Sequence, residues 1–141
     1  MRTTKHSTKN KCRRTGAAAV EFAIVLPIFL ILIFGIVEFG RAMMAMQVIT
    51  NAAREGARAC AVSPLSNAEV QEICQNYADA CGIRSAQVQV TPDPAVAIRG
   101  EPIAVRVSVE FSEIAFLTPF FLKDSELASV STMRKEREFN N

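Results

Sequence analysis

The chain is poor in the side chains on which most enzyme sites depend. Its 141 residues include a single histidine, His6, which lies in a short N-terminal tail. Beyond that tail the sequence therefore holds no Ser-His-Asp triad, no Cys-His pair and no histidine-rich zinc site. It also has no glycine-rich phosphate-binding loop, and no pairing of its carboxylates stands out by spacing. We expect no enzyme, no cofactor, no metal and no small-molecule substrate.

Charged residues are almost absent from one long stretch near the N-terminus. From Ala17 to Gly40 the sequence reads AAAVEFAIVLPIFLILIFGIVEFG, in which Glu21 and Glu38 carry the only charges. As a helix this stretch spans roughly 36 Å, against a hydrocarbon core of about 30 Å. The apolar region of a cleaved secretory signal is shorter, at about 7–15 residues. The stretch therefore predicts one transmembrane helix, and a removable signal peptide is the weaker interpretation.

The net charge of +2 is too small to indicate nucleic-acid binding, but the basic residues are unevenly placed. Six of them precede Glu21, namely Arg2, Lys5, Lys9, Lys11, Arg13 and Arg14. An excess of basic residues on one side of a span places that side in the cytoplasm. We expect residues 1–16 to be a cytoplasmic leader, residues 17–40 the span and residues 41–141 an extracytoplasmic head.

The helix is predicted to continue beyond the membrane. Residues 41–61 contain no proline and one glycine, and they are rich in good helix formers. One face carries Met46, Ile49, Ala53, Gly56 and Cys60 at steps of three and four. One helix from about residue 17 to residue 61, on the order of 65 Å long, is therefore expected, with Pro64 ending it.

A second, shorter helix is predicted after Pro64. Ser66 and Glu69 match the capping box, in which each side chain bonds the other residue's backbone amide. Its apolar face is formed by Val70, Ile73, Cys74 and Tyr77. Gly82 is a suitable C-terminal stop. This helix should pack back against the projecting part of the first.

Beyond Gly82 the hydrophobic period changes from 3.6 to 2, which is typical of strands. Alternating apolar positions are Val88 and Val90, followed by Ile103, Val105, Val107, Val109 and Phe111. With a third strand at about 126–135, the sequence predicts an α+β fold with a three-stranded antiparallel sheet packed on a helix. Residues 114–122, IAFLTPFFL, are either a core-filling loop or an exposed patch that meets the membrane or a partner subunit.

Three of the four cysteines fall in the predicted head, where disulfides form if it is extracytoplasmic. They are Cys60, Cys74 and Cys81, an odd number. Cys60 is the candidate for tying the second helix to the first, with either Cys74 or Cys81 as its partner. The alternative is that all three are simply small buried residues.

The two acids of the apolar stretch need partners, because a carboxylate in hydrocarbon is costly. Glu38 lies near the far end, three residues before Arg41. Glu21 has no basic neighbour in the span and is the fifth residue after Gly16. Cleavage after Gly16 would leave a free amino group on Ala17, which could neutralise Glu21 of an adjacent chain. Such pairing would set the axial register in an assembly of parallel helices.

These segments resemble a known family. RRTGAAAVEF, residues 13–22, looks like the cleavage region of type IV prepilins, and residues 16–41 resemble the N-terminal segment of TadE-like pseudopilins of tight-adherence (Flp-type) pili. NAAREGAR, residues 51–58, is similar to a second hallmark, and STMRKE, residues 131–136, to the end of the family's last strand. The middle of the chain, residues 62–125, is only compatible with it.

The resemblance implies a function in pilus assembly. Gly16 would precede the bond cut by a prepilin peptidase, and Ala17 would be the new N-terminus. Glu21, which is followed by Phe22, would be the acid needed for processing and assembly. A head of this size implies a minor pilin or pseudopilin that contacts other such subunits. The alternatives are an uncleaved, membrane-anchored accessory or adhesion module whose head binds a partner, and a secreted protein released by signal peptidase.

The segment NAAREGAR leaves two physical interpretations open. In one, it is a solvated helix with a Glu55–Arg58 pair, which stabilises a helix by a few tenths of a kcal/mol. In the other, Arg54 and Arg58 bind the head's sheet or a neighbouring subunit. The small residues beside them, including Gly56, would then permit close helix approach.

Overall fold

The computed structural model describes residues 11–115 and 121–136, and it confirms an α+β architecture. In chain order the elements are α1 (Lys11–Val62), α2 (Asn67–Ala80), β1 (Gln87–Thr91), β2 (Pro102–Glu110), α3 (Phe111–Ile114) and β3 (Glu126–Arg134). The chain divides into two compact units, Met1–Val37 and Glu38–Asn141. The second unit holds the end of α1 and every later element, and it includes the head. Residues 116–120 of the predicted apolar loop lie outside the described residues.

The first unit is helical from Lys11 onward, six residues before the expected start at Ala17. No proline lies between these two positions, and a single glycine costs a helix only about 1 kcal/mol. The helix also runs through Pro27 without interruption. From residue 16 to residue 34 every side chain is exposed on all faces of the helix.

The sheet of the head is three-stranded and antiparallel, as predicted, and its strand order is β1-β2-β3. In the central strand, Val105 lies opposite Val90 on one side and Ser131 on the other. The inner face of β2 is fully apolar and buried, formed by Ile103, Val105, Val107 and Val109. One face of the sheet therefore supplies half of the core, and the helices supply the other half.

The helices cover the inner face with the residues that the 3.6-residue period predicts. On α1 the buried side includes Ile49, Ala53, Gly56 and Cys60, while Met46 is half-buried against the same cluster. The capping box of α2 is present, with Ser66 N–H donating to Glu69 Oε2 at 2.7 Å. In return, the Glu69 N–H donates to Ser66 Oγ at 3.4 Å. These two bonds satisfy backbone groups that a helix N-terminus otherwise leaves unpaired.

Helix α1 and strand β3 run in the same direction through the head. Bonds connect α1 to β3 and its flanking segments at three levels: Arg41 Nε donates to the Ile114 carbonyl (3.0 Å), Thr50 Oγ1 donates to Ser129 Oγ (3.1 Å), and the Glu136 N–H donates to the Ala61 carbonyl (3.0 Å). The last of these satisfies one of the terminal carbonyls that a helix leaves free. The head is thus fixed to α1 from residue 41 to residue 61.

Two sequence expectations are wrong in detail. Phe111 does not continue β2 but begins α3, where its ring is still buried. On α2 the buried stripe is Val70, Cys74 and Ala78, whereas Tyr77 is exposed. The stripe follows steps of four, and two of its members, Val70 and Cys74, pack beside Gly56 of α1.

Lys135 is buried, which is unusual for a lysine. Its Nζ donates to the carbonyls of Pro94 and Ala97, both at 2.8 Å, and so holds the β1–β2 connection against the end of β3. The backbone adds Lys135 N–H to the Glu101 carbonyl at 3.1 Å. A buried ammonium with charge-assisted hydrogen bonds is a structural anchor at the end of the head that lies beside Ala61.

We predict that Lys135→Met destabilises the head, because it leaves two carbonyls without their donor while keeping most of the side-chain volume. The free energy of unfolding should fall by roughly 2–4 kcal/mol. Urea unfolding of the full chain in detergent, followed by circular dichroism, measures it. Lys123→Met, at an exposed position, is the matched control and should change nothing; equal midpoints for the two variants would contradict the anchoring role.

Candidate functional site

The predicted cleavage region lies on an open surface of α1. Gly16, Ala17, Glu21 and Phe22 are all exposed, and a Cβ added at Gly16 would meet nothing within 4 Å. Glycine is a poor helix former, so the helix unwinds more easily at this position than at its alanine-rich neighbours. The residue before the predicted cleavage bond is therefore sterically accessible.

The apolar surface that follows is exposed among the residues that the structure describes. The helix that includes this stretch is long and apolar enough to cross a membrane, and none of its most apolar 18-residue window is buried. Soluble monomers rarely expose apolar patches larger than a few hundred Å². Residues 17–40 are therefore a candidate membrane span.

The segment 51–58 divides into a buried small-residue face and an exposed charged face. The buried residues are Ala52, Ala53, Gly56 and Ala57. At Gly56 an added Cβ would overlap Cys74 Sγ and would lie 3.3 Å from Val105 Cγ1 and 3.5 Å from Val70 Cγ1. The close approach expected from the small residues is thus present between α1, α2 and β2 of one chain.

The charged face carries the expected ion pair. Arg58 Nη2 lies 2.7 Å from Glu55 Oε1, and the hydrogen bond from this guanidinium lowers the pKa of Glu55. Arg54 and Arg58 are exposed, and across residues 11–115 and 121–136 no hydrogen bond or ion pair joins either to the sheet. An exposed pair stabilises little, so contact of these arginines with a neighbouring subunit stays a prediction.

The three head cysteines occupy two different environments. Cys60 and Cys74 are buried in one cluster, Cys81 is exposed, and all three are free thiols. Cys74 Sγ donates to the Ala52 carbonyl at 3.4 Å, in the space that Gly56 leaves open. Shared burial favours Cys74 over Cys81 as the partner of Cys60, and the disulfide itself stays a prediction.

Two contacts of the head were not visible in the sequence pattern. Glu38 Oε2 accepts the Phe121 N–H at 2.9 Å, and Arg41 donates to the Ile114 carbonyl. Each of these two predicted helical neighbours thus bonds a residue that lies far away in the sequence. Charged residues at the end of an apolar run were the only signal that could have indicated them.

The remaining surface offers a shallow groove and no metal cluster. The groove has a volume of about 540 Å³ along α1 and is lined by Ala42, Met43, Met46, Gln47, Thr50, Asn51 and Arg54. No group of three His, Cys, Asp or Glu side chains that could hold a metal ion occurs among the residues that the structure describes.

We predict that Gly56→Ala destabilises the head, because the added methyl group overlaps Cys74 Sγ. Overpacking of this kind costs roughly 1–3 kcal/mol, as measured by unfolding of the full chain in detergent. The control is Gly40→Ala, a helical glycine whose added Cβ meets nothing within 4 Å. Removing the sulfur with Cys74→Ala should recover part of the loss in the double variant; strict additivity would refute the overlap.

The thiols should differ in reactivity. Burial raises the pKa of both Cys60 and Cys74 from 9.0 to about 11. On the reduced protein in a Cys12→Ser background, a maleimide at pH 8 should therefore modify Cys81 and spare the other two until the chain unfolds. Peptide mass spectrometry reads out each site; equal modification of all three would contradict the packing.

The same shift has a consequence for pH stability. Between about pH 9 and 11 the unfolded chain releases the protons of Cys60 and Cys74, whereas the folded chain keeps them. Stability from these groups is thus complete below pH 9 and decreases as the pH rises through 11. The double variant Cys60→Ala/Cys74→Ala should lose this part of the alkaline dependence.

The comparison with protein families matches one continuous segment of the chain, which holds both the apolar helix and the charged segment 51–58. The model of the family described as TadE-like protein matches residues 16–58, from Gly16 to the arginine of the Glu55–Arg58 pair. The match confirms the resemblance over these residues. No curated protein and no solved structure matches the chain.

Proposed function

Because the chain is TadE-like over residues 16–58, we propose that it is a minor pilin or pseudopilin that takes part in the assembly of tight-adherence (Flp-type) pili. The observation that carries the proposal is the apolar helix exposed on all faces directly after Gly16, with Glu21 as the one acid at its start. Such a surface suits a bilayer before assembly and neighbouring helices after it.

Processing is proposed to occur between Gly16 and Ala17, by an aspartic prepilin peptidase in the membrane. The mature chain would have 125 residues, which is 141 minus 16. Its new amino group would carry a positive charge at the start of the span. Pairing with Glu21 of a neighbouring subunit would offset the cost of both charges in an apolar environment and set the axial register.

The topology follows from the charges that flank the span. The basic tail would remain in the cytoplasm, and the head would lie on the outer side of the bacterial inner membrane. The chain would have no catalytic role and would bind no nucleic acid. Its partners would be the membrane, the peptidase and other pilin or pseudopilin subunits, and the head's size suits a component present in few copies.

An uncleaved, membrane-anchored accessory or adhesion module is the second candidate. It is favoured by the continuity of α1 through Gly16, which shows that the helix needs no cut to form. In this case the head would bind its partner while the span stays in the bilayer. The state of the N-terminus distinguishes the two.

We predict that the mature protein begins at Ala17, as determined by N-terminal sequencing and intact mass from the native host. Gly16→Leu should accumulate the full 141-residue chain, because the proposed cleavage occurs directly after this glycine. Gly40→Leu, at the other end of the span, is the control and should be cut normally. An intact Met1 in the unaltered protein supports the accessory module, and a start near residue 42 supports signal-peptidase release; either outcome refutes processing at Gly16.

A second experiment concerns assembly rather than cleavage. Glu21→Gln keeps the shape of the side chain and removes the charge, so the mature subunit should be lost from sheared pili. Its control is Glu38→Gln, at the opposite end of the apolar stretch, which should remain associated with them. Retention of Glu21→Gln in pili at the unaltered level would refute the register pairing.

A further inference from the structure

Two hydrogen bonds join Ile114 and Phe121 of the head to one turn of α1. Glu38 Oε2 accepts the Phe121 N–H at 2.9 Å, and Arg41 Nε donates to the Ile114 carbonyl at 3.0 Å. Because Glu38 and Arg41 are three residues apart, they lie on the same side of the helix and about 4.5 Å apart along its axis. Ile114 and Phe121 therefore both lie at this level of α1.

That level is the end of the apolar run. Glu38 and Arg41 flank Gly40, the last residue of the stretch that begins at Ala17. An ionised side chain is costly inside hydrocarbon and far less so at the interface. If residues 17–40 span a bilayer, Glu38 and Arg41 lie where the acyl chains meet the headgroups, and Ile114 and Phe121, which they bond, lie there too.

Four described residues present apolar side chains at this level. We name Ile114, Ala115, Phe121 and Leu122 the foot. Phe121 is 51% exposed, and the other three are half-buried. Lys123 and Asp124 follow directly and are exposed. An aromatic ring beside charged residues is the pattern of a group that enters the interface while its neighbours remain in water.

The two hydrogen bonds also satisfy backbone groups that would otherwise be unpaired in contact with lipid. A peptide group close to the acyl chains has no water to bond with, so each unsatisfied N–H or carbonyl costs several kcal/mol. In the foot, Glu38 satisfies the Phe121 amide and Arg41 satisfies the Ile114 carbonyl. These are the polar groups at the two ends of the foot.

We propose that the foot rests on the lipid surface of the membrane and seats the head there. The inference depends on the proposed function through the membrane insertion of residues 17–40. Its occupant is lipid because Glu38, which bonds Phe121 of the foot, belongs to the predicted span at residues 17–40. Lipid that surrounds the last turn of the span therefore reaches the foot. The Phe121 ring enters the boundary between headgroups and acyl chains, and the rest of the head stays above it.

The absence of tryptophan from the sequence gives a direct test. In the Phe121→Trp variant the single indole reports its own distance from lipids that carry bromine, a contact quencher, at a known depth. The full chain is reconstituted into phosphatidylcholine vesicles with bromine either at the top or at the bottom of the acyl chains. Circular dichroism of each variant verifies the helical and strand content.

Two matched variants calibrate the measurement. Val96→Trp places the reporter at a 77% exposed position beside the Lys135 anchor, whose neighbour Glu136 bonds Ala61. Ala61 lies twenty residues along α1 from Arg41, or about 30 Å. Phe29→Trp places the reporter within the span.

The three variants should give three different results. Bromine at the top of the acyl chains should quench roughly half of the emission of Phe121→Trp, since an interfacial group lies about 5–10 Å into the boundary region. The Val96→Trp emission should be unchanged by either lipid. The Phe29→Trp emission should be quenched most by bromine at the bottom of the chains.

Each contrary result has one meaning. If Phe121→Trp is quenched no more than Val96→Trp while Phe29→Trp is quenched, the foot is refuted and the span stands. If Phe121→Trp emits at short wavelength without quenching, protein rather than lipid covers the ring, which also refutes the proposal. If Phe29→Trp itself is not quenched, the membrane insertion fails, and with it the anchor of the proposed function.

Discussion

Helix α1 comes so close to α2 and β2 at Gly56 that no side chain fits between them. The rest of the head depends on this contact, because Cys74, Val70 and Val105 meet there and all three belong to the core. It accounts for the run of alanines on the same face of α1 and for the step of four in the buried stripe of α2. Small residues allow the backbones to approach, and the valines of the sheet fill the remaining space.

The close approach is extended by polar bonds along the helix. Bonds at Arg41, Thr50 and Ala61 connect α1 to the segments before, within and after β3. At the far end, the buried ammonium of Lys135 adds the β1–β2 connection to the same assembly. A head bound at three levels moves with residues 41–61 of α1 as one body.

The sequence predicted the elements that depend on local rules. The capping box at Ser66 and Glu69 is a short-range pattern with a definite geometry, and it is present. The alternation in β2 required one buried face, and that face is buried. Tyr77 was misplaced because periodicity alone does not say how much space the facing helix leaves. Lys135 was not expected in the core, since a lysine carries no signal in the sequence for two carbonyls that come from another part of the chain.

The candidate site shows the same division. Composition and spacing alone determined the apolar stretch at residues 17–40, the glycine and acid that open it, and the small-residue face of α1, because each follows from the repeat of one helix. Only the tertiary structure decided what Glu38 and Arg41 bind, since their partners lie 83 and 73 positions away. The same holds for the cysteines: their spacing left two pairings open, and packing placed Cys60 and Cys74 in one core and Cys81 in solvent. Contacts between distant segments depend on the shape of the space between packed elements, and no local pattern of residues records that shape.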